Sequence, residues 1–185
     1  RNKEKLEEVK GKCKGIPHEE IQVLPIDLSK TETLQVSTEA ALQFFGRVDV
    51  LINCGGISQR ALAKDTLLDV DRKVMEVNYF GSIALTKYLL PSMLKNKSGH
   101  FVSISSLVGK FGSPYRTGYA ASKHALHGFY DSLRAELWKD NIKVMMVCPG
   151  FIKTQISMNA LTEDGSLLNQ MDDAQANGMP AELCA

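Results

Sequence analysis

Tyr119 and Lys123 are the residues of this sequence whose types and spacing most directly suggest chemistry. On a helix, side chains at positions i and i+4 lie on one face, one turn apart. A lysine ammonium beside a phenol stabilises the phenolate, so it lowers the phenol pKa from its usual value of about 10. Such a tyrosine can give a proton to a carbonyl oxygen or take one from an alcohol. A solvated helix face is the competing interpretation of this pair.

Ser106 and Asn78 extend the pair to a larger candidate site. Ser106 follows an apolar run typical of a strand, so it would lie just past the carboxyl end of that strand. Open α/β sheets place their ligands at this edge. Each residue also has a structural interpretation, because serine caps the turns that follow strands and a mid-helix asparagine often satisfies backbone groups.

Two short motifs follow other apolar runs. Residues 53–56 read Asn-Cys-Gly-Gly, and residues 149–154 read Pro-Gly-Phe-Ile-Lys-Thr. The carboxyl ends of parallel strands meet at one edge of a sheet, which is where open α/β sheets bind ligands. We therefore predict that these motifs and the polar residues above converge on a single cleft.

The elements that must position these residues alternate between short β-branched runs and longer helical stretches, which indicates an α/β protein with a largely parallel sheet. Several runs are almost continuously apolar, which is typical of strands covered by helices on both faces. We predict one domain over residues 1–185, with residues 153–185 as a mobile substrate-binding loop region containing short helices. The predicted strands are residues 21–25, 48–53, 100–105 and 143–148, and the predicted helices are residues 2–13, 30–45, 67–95 and 117–139.

The composition of the 185 residues is that of an ordinary globular protein, with 44% hydrophobic and 23% charged residues and a net charge of +1. This balance gives no support for a nucleic-acid partner or an anionic membrane. The charged first residues are not expected to be a secretion signal, and no apolar run approaches the roughly 18 residues of a membrane span. The four cysteines form no Cys-x-x-Cys pair, which favours a reducing, cytoplasmic location. His124 and His127 lack a third ligand, so we predict no metal site.

The ends of the sequence predict that this chain is part of a longer protein. The sequence opens inside a helical pattern and stops within another. The rest of the pattern calls for a glycine-rich phosphate loop of the Gly-x-Gly-x-x-Gly type, and none occurs. We expect that loop and the strand before it to lie in a missing N-terminal segment. Membrane association through such a segment is the alternative to a cytoplasmic location.

The combined set resembles the short-chain dehydrogenase/reductase family over nearly the whole chain. Residues 69–76 and 159–166 look most like the member 7/7B branch of that family. The resemblance implies a doubly wound parallel sheet of the Rossmann type, incomplete at both ends in this chain. The family's catalytic residues occur here in the family's order and with its Ser-to-Tyr and Tyr-to-Lys spacings: Asn78, Ser106, Tyr119 and Lys123.

The resemblance implies a role for each of these four residues. Tyr119 would be the general acid/base that exchanges a proton with the substrate oxygen. Lys123 would lower the pKa of Tyr119 and hydrogen-bond the nicotinamide ribose, so both residues would also contact the cofactor. Ser106 would donate a hydrogen bond to the substrate oxygen. Asn78 would position a water molecule that links Lys123 to solvent.

The resemblance also implies contacts with the adenosine half of a nicotinamide cofactor. Asp27, followed by Leu28, looks like the aspartate that meets the adenine ring. Asn53 and Gly55 would pass close to the adenine ribose, where a larger side chain would crowd it. The family's Asn-Asn-Ala-Gly reads Asn-Cys-Gly-Gly here, which keeps the small residues.

The nicotinamide half would meet the motif that follows the last predicted strand. Ile152 and Thr154 resemble the residues that fix the carboxamide, and Pro149 and Gly150 come directly before them. Arg1 matches an arginine that members preferring NADP use to pair with the 2′-phosphate. The resemblance therefore implies NADP as the cofactor in preference to NAD.

The motifs and the family resemblance together predict an NADP(H)-dependent oxidoreductase that interconverts a ketone and a secondary alcohol. The alternatives are a catalytically silent cofactor-binding regulator or scaffold of the same fold, and an epimerase or dehydratase that uses the same tyrosine and lysine. The candidate pocket residues are apolar or aromatic, which favours a small hydrophobic carbonyl or alcohol substrate. These residues are Leu107, Phe111, Tyr115, Ile156 and Met158.

Family members pair two long helices across a two-fold axis, so the resemblance implies a homodimer or homotetramer. Here those helices are the ones predicted over residues 67–95 and 117–139. The second carries apolar residues that could form such an interface: Phe129, Tyr130, Leu133 and Leu137.

Overall fold

The structure is a computed structural model that describes residues 2–184. Helices and strands alternate along the chain, as the sequence predicts. A π-helical turn, Glu76–Phe80, joins the third helix to the fourth, and short 3₁₀ turns occur at His18–Glu20 and Leu107–Gly109. In chain order the elements are α1 (Lys3–Lys12), α2 (Thr31–Phe45), β1 (Val50–Asn53), α3 (Leu68–Met75), α4 (Gly81–Asn96), β2 (Gly99–Ile104), α5 (Thr117–Glu136), β3 (Ile142–Val147), β4 (Ile152–Lys153), α6 (Asp173–Ala176), β5 (Met179–Pro180) and α7 (Ala181–Cys184).

Strands β1, β2 and β3 form a parallel sheet in that order. Alternate residues of a strand face opposite sides of the sheet. Phe101 and Val144 are paired in register and are buried against the helices. On the opposite face, Ile52, Val102 and Met145 form another register row, in which Ile52 is 60% exposed and Met145 48%. The sequence predicted strands covered by helices on both faces. Within residues 2–184, helices cover one face of this sheet and the other face is partly exposed.

The core lies between this sheet and the helices α4 and α5. Phe101 of β2 is fully buried among side chains that include Met93 of α4 and Tyr130 of α5. Burying a side chain of this size contributes about 1.5–3 kcal/mol to the stability of the fold. Leu133 and Leu137 also belong to this core. Much of the apolar surface of α5 that the sequence predicted could pair two copies is therefore buried in the core of the monomer.

Residues 21–25 form no strand, so the prediction of a strand there is wrong. An extended segment becomes a strand only when a neighbouring strand supplies partners for its N–H and C=O groups. Within residues 2–184, this segment pairs with no strand. It leads to Leu28, which packs against Gly81 at the start of α4.

Gly81 is a position where the long helix approaches the backbone of Leu28 closely. A Cβ on Gly81 would lie 2.5 Å from the Leu28 carbonyl oxygen and 2.7 Å from Leu28 Cβ. We expect Gly81→Ala to lower the free energy of unfolding by about 1–3 kcal/mol, because the backbone there would have to move. Gly128 of α5 is the matched control, since it is exposed and a Cβ there would meet no atom within 4 Å. Gly128→Ala should raise stability by about 0.5–1 kcal/mol. Urea denaturation measures both effects, and shifts of the same sign would contradict this prediction.

The helix predicted over residues 67–95 is continuous from Leu68 to Asn96 through α3, the π-helical turn and α4. The turn Glu76–Phe80 contains Asn78. Such π-helical turns are rare in proteins, and those that occur often lie at functional sites. Neither this helix nor any other within residues 2–184 is long and apolar enough to cross a membrane.

Residues 157–169 form a short hairpin within the region that the sequence predicted as a loop. Leu161 bridges Leu167 on one side and Gln59 on the other. The Arg60 N–H donates to the Leu161 carbonyl at 2.8 Å, and the Leu67 N–H donates to the Glu163 carbonyl at 2.9 Å. These backbone hydrogen bonds attach the hairpin to the segment that follows β1.

Candidate functional site

The polar residues that follow the strands of the sheet meet at its carboxyl edge, as predicted. The Ser105 N–H donates to the Val147 carbonyl at 2.8 Å, which joins the end of β2 to the end of β3. The Leu107 N–H donates to the Pro149 carbonyl at 3.3 Å, which joins the two following turns. Helix α5 packs against the turn Leu107–Gly109, which brings its first turns to this edge.

Lys123 is buried at this edge. Its ammonium donates a hydrogen bond to the Ile104 carbonyl at 2.9 Å, at the last residue of β2. Burial lowers the pKa of Lys123 to about 8, and the nearby thiols of Cys54 and Cys148 partly oppose that change. A lysine with this pKa remains largely protonated at neutral pH and is ready to bind hydroxyl groups.

Tyr119 is also buried, and its ring centroid lies 5.7 Å from the Lys123 ammonium. Burial raises the pKa of Tyr119, and a hydrogen bond with Ser106 and the charges of Arg116 and Arg60 act in the opposite direction. The sequence predicted a pKa lowered by Lys123, and this direction is wrong for the structure. Desolvation of the phenolate outweighs the positive charge around it.

Ser106 has the structural role that the sequence allowed, and it also lies close to Tyr119. It is the residue before the 3₁₀ turn Leu107–Gly109, and its Oγ accepts a hydrogen bond from the Val108 N–H at 3.4 Å. The same hydroxyl interacts with Tyr119. The turn therefore fixes Ser106 beside the phenol, where both hydroxyls can reach one substrate oxygen.

Asn78 is fully buried and joins the helix to the segment after β1. Its Oδ1 accepts from the Ile57 N–H at 2.8 Å, and its Nδ2 donates to the Ile57 carbonyl and to Ser122 Oγ, both at 2.9 Å. A Cβ on Gly56 would lie 3.2 Å from Asn78 Oδ1 and 3.6 Å from Lys123 Nζ. Asn78 therefore satisfies backbone groups and also adjoins the space around the lysine.

The side chain of Asn53 points into the helix layer. Its Nδ2 donates to the Tyr130 hydroxyl at 2.8 Å, to Thr86 Oγ1 at 3.1 Å and to the Ser82 carbonyl at 3.4 Å. These bonds connect the end of β1 to α4 and α5. The structure thus gives the Asn53 side chain a role in the fold.

Asp27, Leu28 and Gly55 lie together beside the start of α4. Asp27 Oδ1 accepts from the Ser29 N–H at 3.0 Å and from Ser29 Oγ at 2.7 Å. Leu28 Cδ1 lies 2.5 Å from where a Cβ on Gly55 would be. Of the residues predicted for the adenosine half, the structure therefore brings Leu28 against Gly55, with Asp27 next to Leu28 in the chain.

The segment after β3 lies beside the turn that follows β2. A Cβ on Gly150 would lie 3.7 Å from Leu107 Cδ1, and Thr154 Oγ1 accepts from the Ile156 N–H at 3.4 Å. Ile152 belongs to β4, and its carbonyl accepts a hydrogen bond from Gln175 Nε2. Arg1, predicted to contact the cofactor 2′-phosphate, lies outside the described residues.

Sequence reasoning missed an ionic cluster that includes Arg116, the residue just before α5. Asp172 pairs with both Arg60 and Arg116. Arg60 and Asp172 also line an open cleft of about 320 Å³, together with Tyr115. These residues are far apart in the chain and form no motif, so no local signal could have identified them. Within residues 2–184, no group of three or more His, Cys, Asp or Glu side chains could hold a metal ion.

A parallel sheet whose strands end in polar turns beside a buried tyrosine and lysine defines an α/β protein of the Rossmann type. Solved structures share this fold. A short-chain dehydrogenase from Streptomyces avermitilis matches with a TM-score of 0.79 and 28% identity, over 97% of this chain and 63% of that one. ElxO, solved with NADP bound, matches with a TM-score of 0.76 and 32% identity, over 82% of this chain and 61% of that one.

The chain belongs to the short-chain dehydrogenase family, whose sequence profile matches residues 1–165. Dehydrogenase/reductase SDR family member 7B of Mus musculus is 49% identical over 98% of this chain and 57% of its own length. Member 7 of Homo sapiens is 42% identical over 97% of this chain and 54% of its own length. These relatives confirm the resemblance to the member 7/7B branch. The chain spans about half the length of the curated relatives it matches.

Proposed function

We propose that this chain carries the reaction centre of an NADP(H)-dependent oxidoreductase that interconverts a ketone and a secondary alcohol on a hydrophobic substrate. The observation that carries the proposal is the buried pair of Tyr119 and Lys123, held beside Ser106 at the carboxyl end of β2. Membership of the short-chain dehydrogenase family supports a redox reaction at these residues.

Tyr119 is the proton donor of the proposed ketone reduction. Burial raises the pKa of Tyr119, so its phenol keeps the proton at neutral pH until a substrate oxygen can take it. The Ser106 hydroxyl donates a hydrogen bond to the same oxygen and holds it beside the phenol. As the carbonyl carbon gains a hydride, the oxygen gains the Tyr119 proton, and an alcohol results. In the reverse direction the tyrosinate takes the proton of the alcohol.

The residues at this edge fit the nicotinamide end of the cofactor. Gly56 leaves open the space near Asn78 Oδ1 and Lys123 Nζ that a Cβ would fill. The Lys123 ammonium would bind the ribose hydroxyls, and residues 149–154 would flank the carboxamide. When bound, the nicotinamide supplies a hydride or accepts one. We propose NADP in preference to NAD, and the related protein ElxO was solved with NADP bound.

The proposed substrate is hydrophobic because apolar side chains surround the approach to the site. Leu107 directly follows Ser106, and Phe111 and Tyr115 lie on the loop that leads to Tyr119; all three side chains are exposed. Ile156 and Met158 are half-buried in the segment after β4. Exposed apolar groups of this kind favour contact with an apolar ligand.

The test is NADPH consumption by the full-length protein with a panel of hydrophobic ketones, with NADH measured in parallel. We expect NADPH oxidation that depends on at least one ketone, formation of the matching alcohol, and slower oxidation of NADH. The matched control is the same mixture without ketone, which gives the background rate.

A different outcome would favour the alternative function. Tight NADPH binding with no reduction of any ketone and no oxidation of any alcohol would refute the proposed reaction. It would indicate a cofactor-binding regulator or scaffold of the same fold.

A further inference from the structure

Cys148 and His127 form a contact that the proposed reaction does not use, and we call these two residues the Cys–His pair. Cys148 comes directly after β3 and is half-buried, and His127 lies on α5 and is 8% exposed. Cys148 Sγ lies 3.5 Å from His127 Nε2. The other ring nitrogen, Nδ1, is buried and has no hydrogen-bond partner within residues 2–184. A histidine is usually oriented by a bond from its second nitrogen to a carbonyl or carboxylate, so the contact with the thiol is the distinctive feature of this one.

The Cys–His pair adjoins the 3₁₀ turn that follows Ser106. A Cβ on Gly109, the last residue of that turn, would lie 3.2 Å from His127 Cδ2. Pro149, which follows the cysteine, accepts a hydrogen bond at its carbonyl from the Leu107 N–H at 3.3 Å. The turn is therefore held on one side by the helix that carries the histidine and on the other by the segment that carries the thiol.

His127 is neutral at neutral pH. Burial is the main cause of its lowered pKa, and the charge of Asp131 opposes that effect. The charges of three other groups lower the pKa further: Lys110, His124 and Arg134. A neutral imidazole has one nitrogen free to accept a proton. In the tautomer that carries its proton on Nδ1, Nε2 can take the proton of the thiol beside it.

Cys54 provides a comparison within the same chain. The charges of Cys54 and Cys148 both act on the Lys123 ammonium, so both sulfurs lie within reach of its field. Cys54 is exposed, whereas Cys148 is half-buried and contacts His127. Exposure alone favours reaction at Cys54, and a neighbouring base favours reaction at Cys148.

We propose that Cys148 is a site of oxidation by hydrogen peroxide, with His127 as the base that takes the thiol proton. The sulfur attacks one peroxide oxygen, so an S–O bond forms and the O–O bond breaks. The proton held by His127 goes to the hydroxide that leaves. The sulfur gives up two electrons and the peroxide gains them, so the products are a sulfenic acid and water.

Oxidation of Cys148 should also disturb the turn that follows Ser106. The added oxygen atom lies between the end of β3 and α5, where the turn packs, and close-packed interiors do not take extra atoms without moving. This consequence rests on the proposed function, in which Ser106 holds the substrate oxygen. Ketone reduction should therefore fall on oxidation and return when a thiol reductant converts the sulfenic acid back to the thiol.

The first test is the oxidation rate of each cysteine in the full-length protein. Dilute hydrogen peroxide is the oxidant, dimedone traps each sulfenic acid, and mass spectrometry of the peptides measures the labelled fraction. We expect labelling of Cys148 to be at least about 10-fold faster than labelling of Cys54, although Cys54 is the more exposed of the two. Equal rates, or faster labelling of Cys54, would overturn the proposal.

Replacing the histidine tests its role as the base. His127→Gln should slow labelling of Cys148 by about 10-fold and leave labelling of Cys54 unchanged. His124→Gln is the matched control, because His124 is exposed on the same helix and its Nδ1 lies 2.9 Å from the Ala120 carbonyl oxygen. An unchanged rate at Cys148 in His127→Gln would contradict the proposal. If thermal unfolding shows that this variant does not fold, the comparison of the two thiols in the unchanged protein still decides.

Ketone reduction before and after peroxide tests the effect on the site. Peroxide should lower the rate of the unchanged protein and of Cys54→Ser, whereas Cys148→Ser should keep its own untreated rate. Full oxidation of Cys148 with no fall in rate would refute the effect on the turn. A protein that is labelled at Cys148 but reduces no ketone before treatment contradicts the proposed function and leaves the oxidation site supported.

Discussion

Replacing Tyr119 with phenylalanine should lower ketone reduction by the full-length protein at least about 100-fold and leave NADPH binding intact. Phenylalanine fills the same buried space at the start of α5, so the fold loses only a hydroxyl group. That hydroxyl is the group that interacts with Ser106 and would give its proton to the substrate oxygen. The turnover number and the dissociation constant for NADPH are the two measurements. They separate a lost proton donor from a lost cofactor site.

Tyr88→Phe is the control for this variant. Tyr88 lies on α4 and is partly exposed, so the same change of hydroxyl to hydrogen should leave turnover and unfolding as they are. Undiminished turnover in Tyr119→Phe would refute the role of Tyr119 as general acid. A parallel loss of NADPH binding would show instead that the phenol holds the cofactor.

The parts of the fold that the sequence predicted correctly depend on local patterns. The three strands of the sheet are short apolar runs, and α5 shows helical spacing around Tyr119 and Lys123. The polar turns after the strands converge because parallel strands end at one edge. The predicted strand at residues 21–25 failed because a strand also needs a neighbour, which no local pattern reports.

The parts of the site that the sequence could not predict depend on tertiary structure. The Tyr119 pKa moves up because the phenol is buried, and burial is a property of the assembled fold. Asp172 pairs with Arg60 and Arg116, which lie far from it in the chain and come together only in the folded protein. Asn53 fits the family's cofactor motif, yet its amide bonds Tyr130 and Thr86 in the helix layer. Sequence alone could not say which way that side chain points.

Asn53→Ala should lower the free energy of unfolding by about 2–3 kcal/mol. Tyr130 and Thr86 are fully buried, and their hydroxyls lie 2.7 Å apart. Without Asn53 Nδ2, the two hydroxyls and the Ser82 carbonyl lose a shared donor in a place that water does not reach. The hydrogen bonds that connect the end of β1 to α4 and α5 are lost as well. Urea denaturation of the full-length protein measures the change.

Asn96→Ala is the matched control, because Asn96 is exposed at the end of α4. The same substitution there should change the free energy of unfolding by no more than about 0.5 kcal/mol. NADPH affinity measured on folded Asn53→Ala protein then distinguishes the two roles of Asn53. A large loss of stability with nearly unchanged affinity places the side chain in the fold. Unchanged stability with a marked loss of affinity would contradict the observed contacts and place it at the adenine ribose.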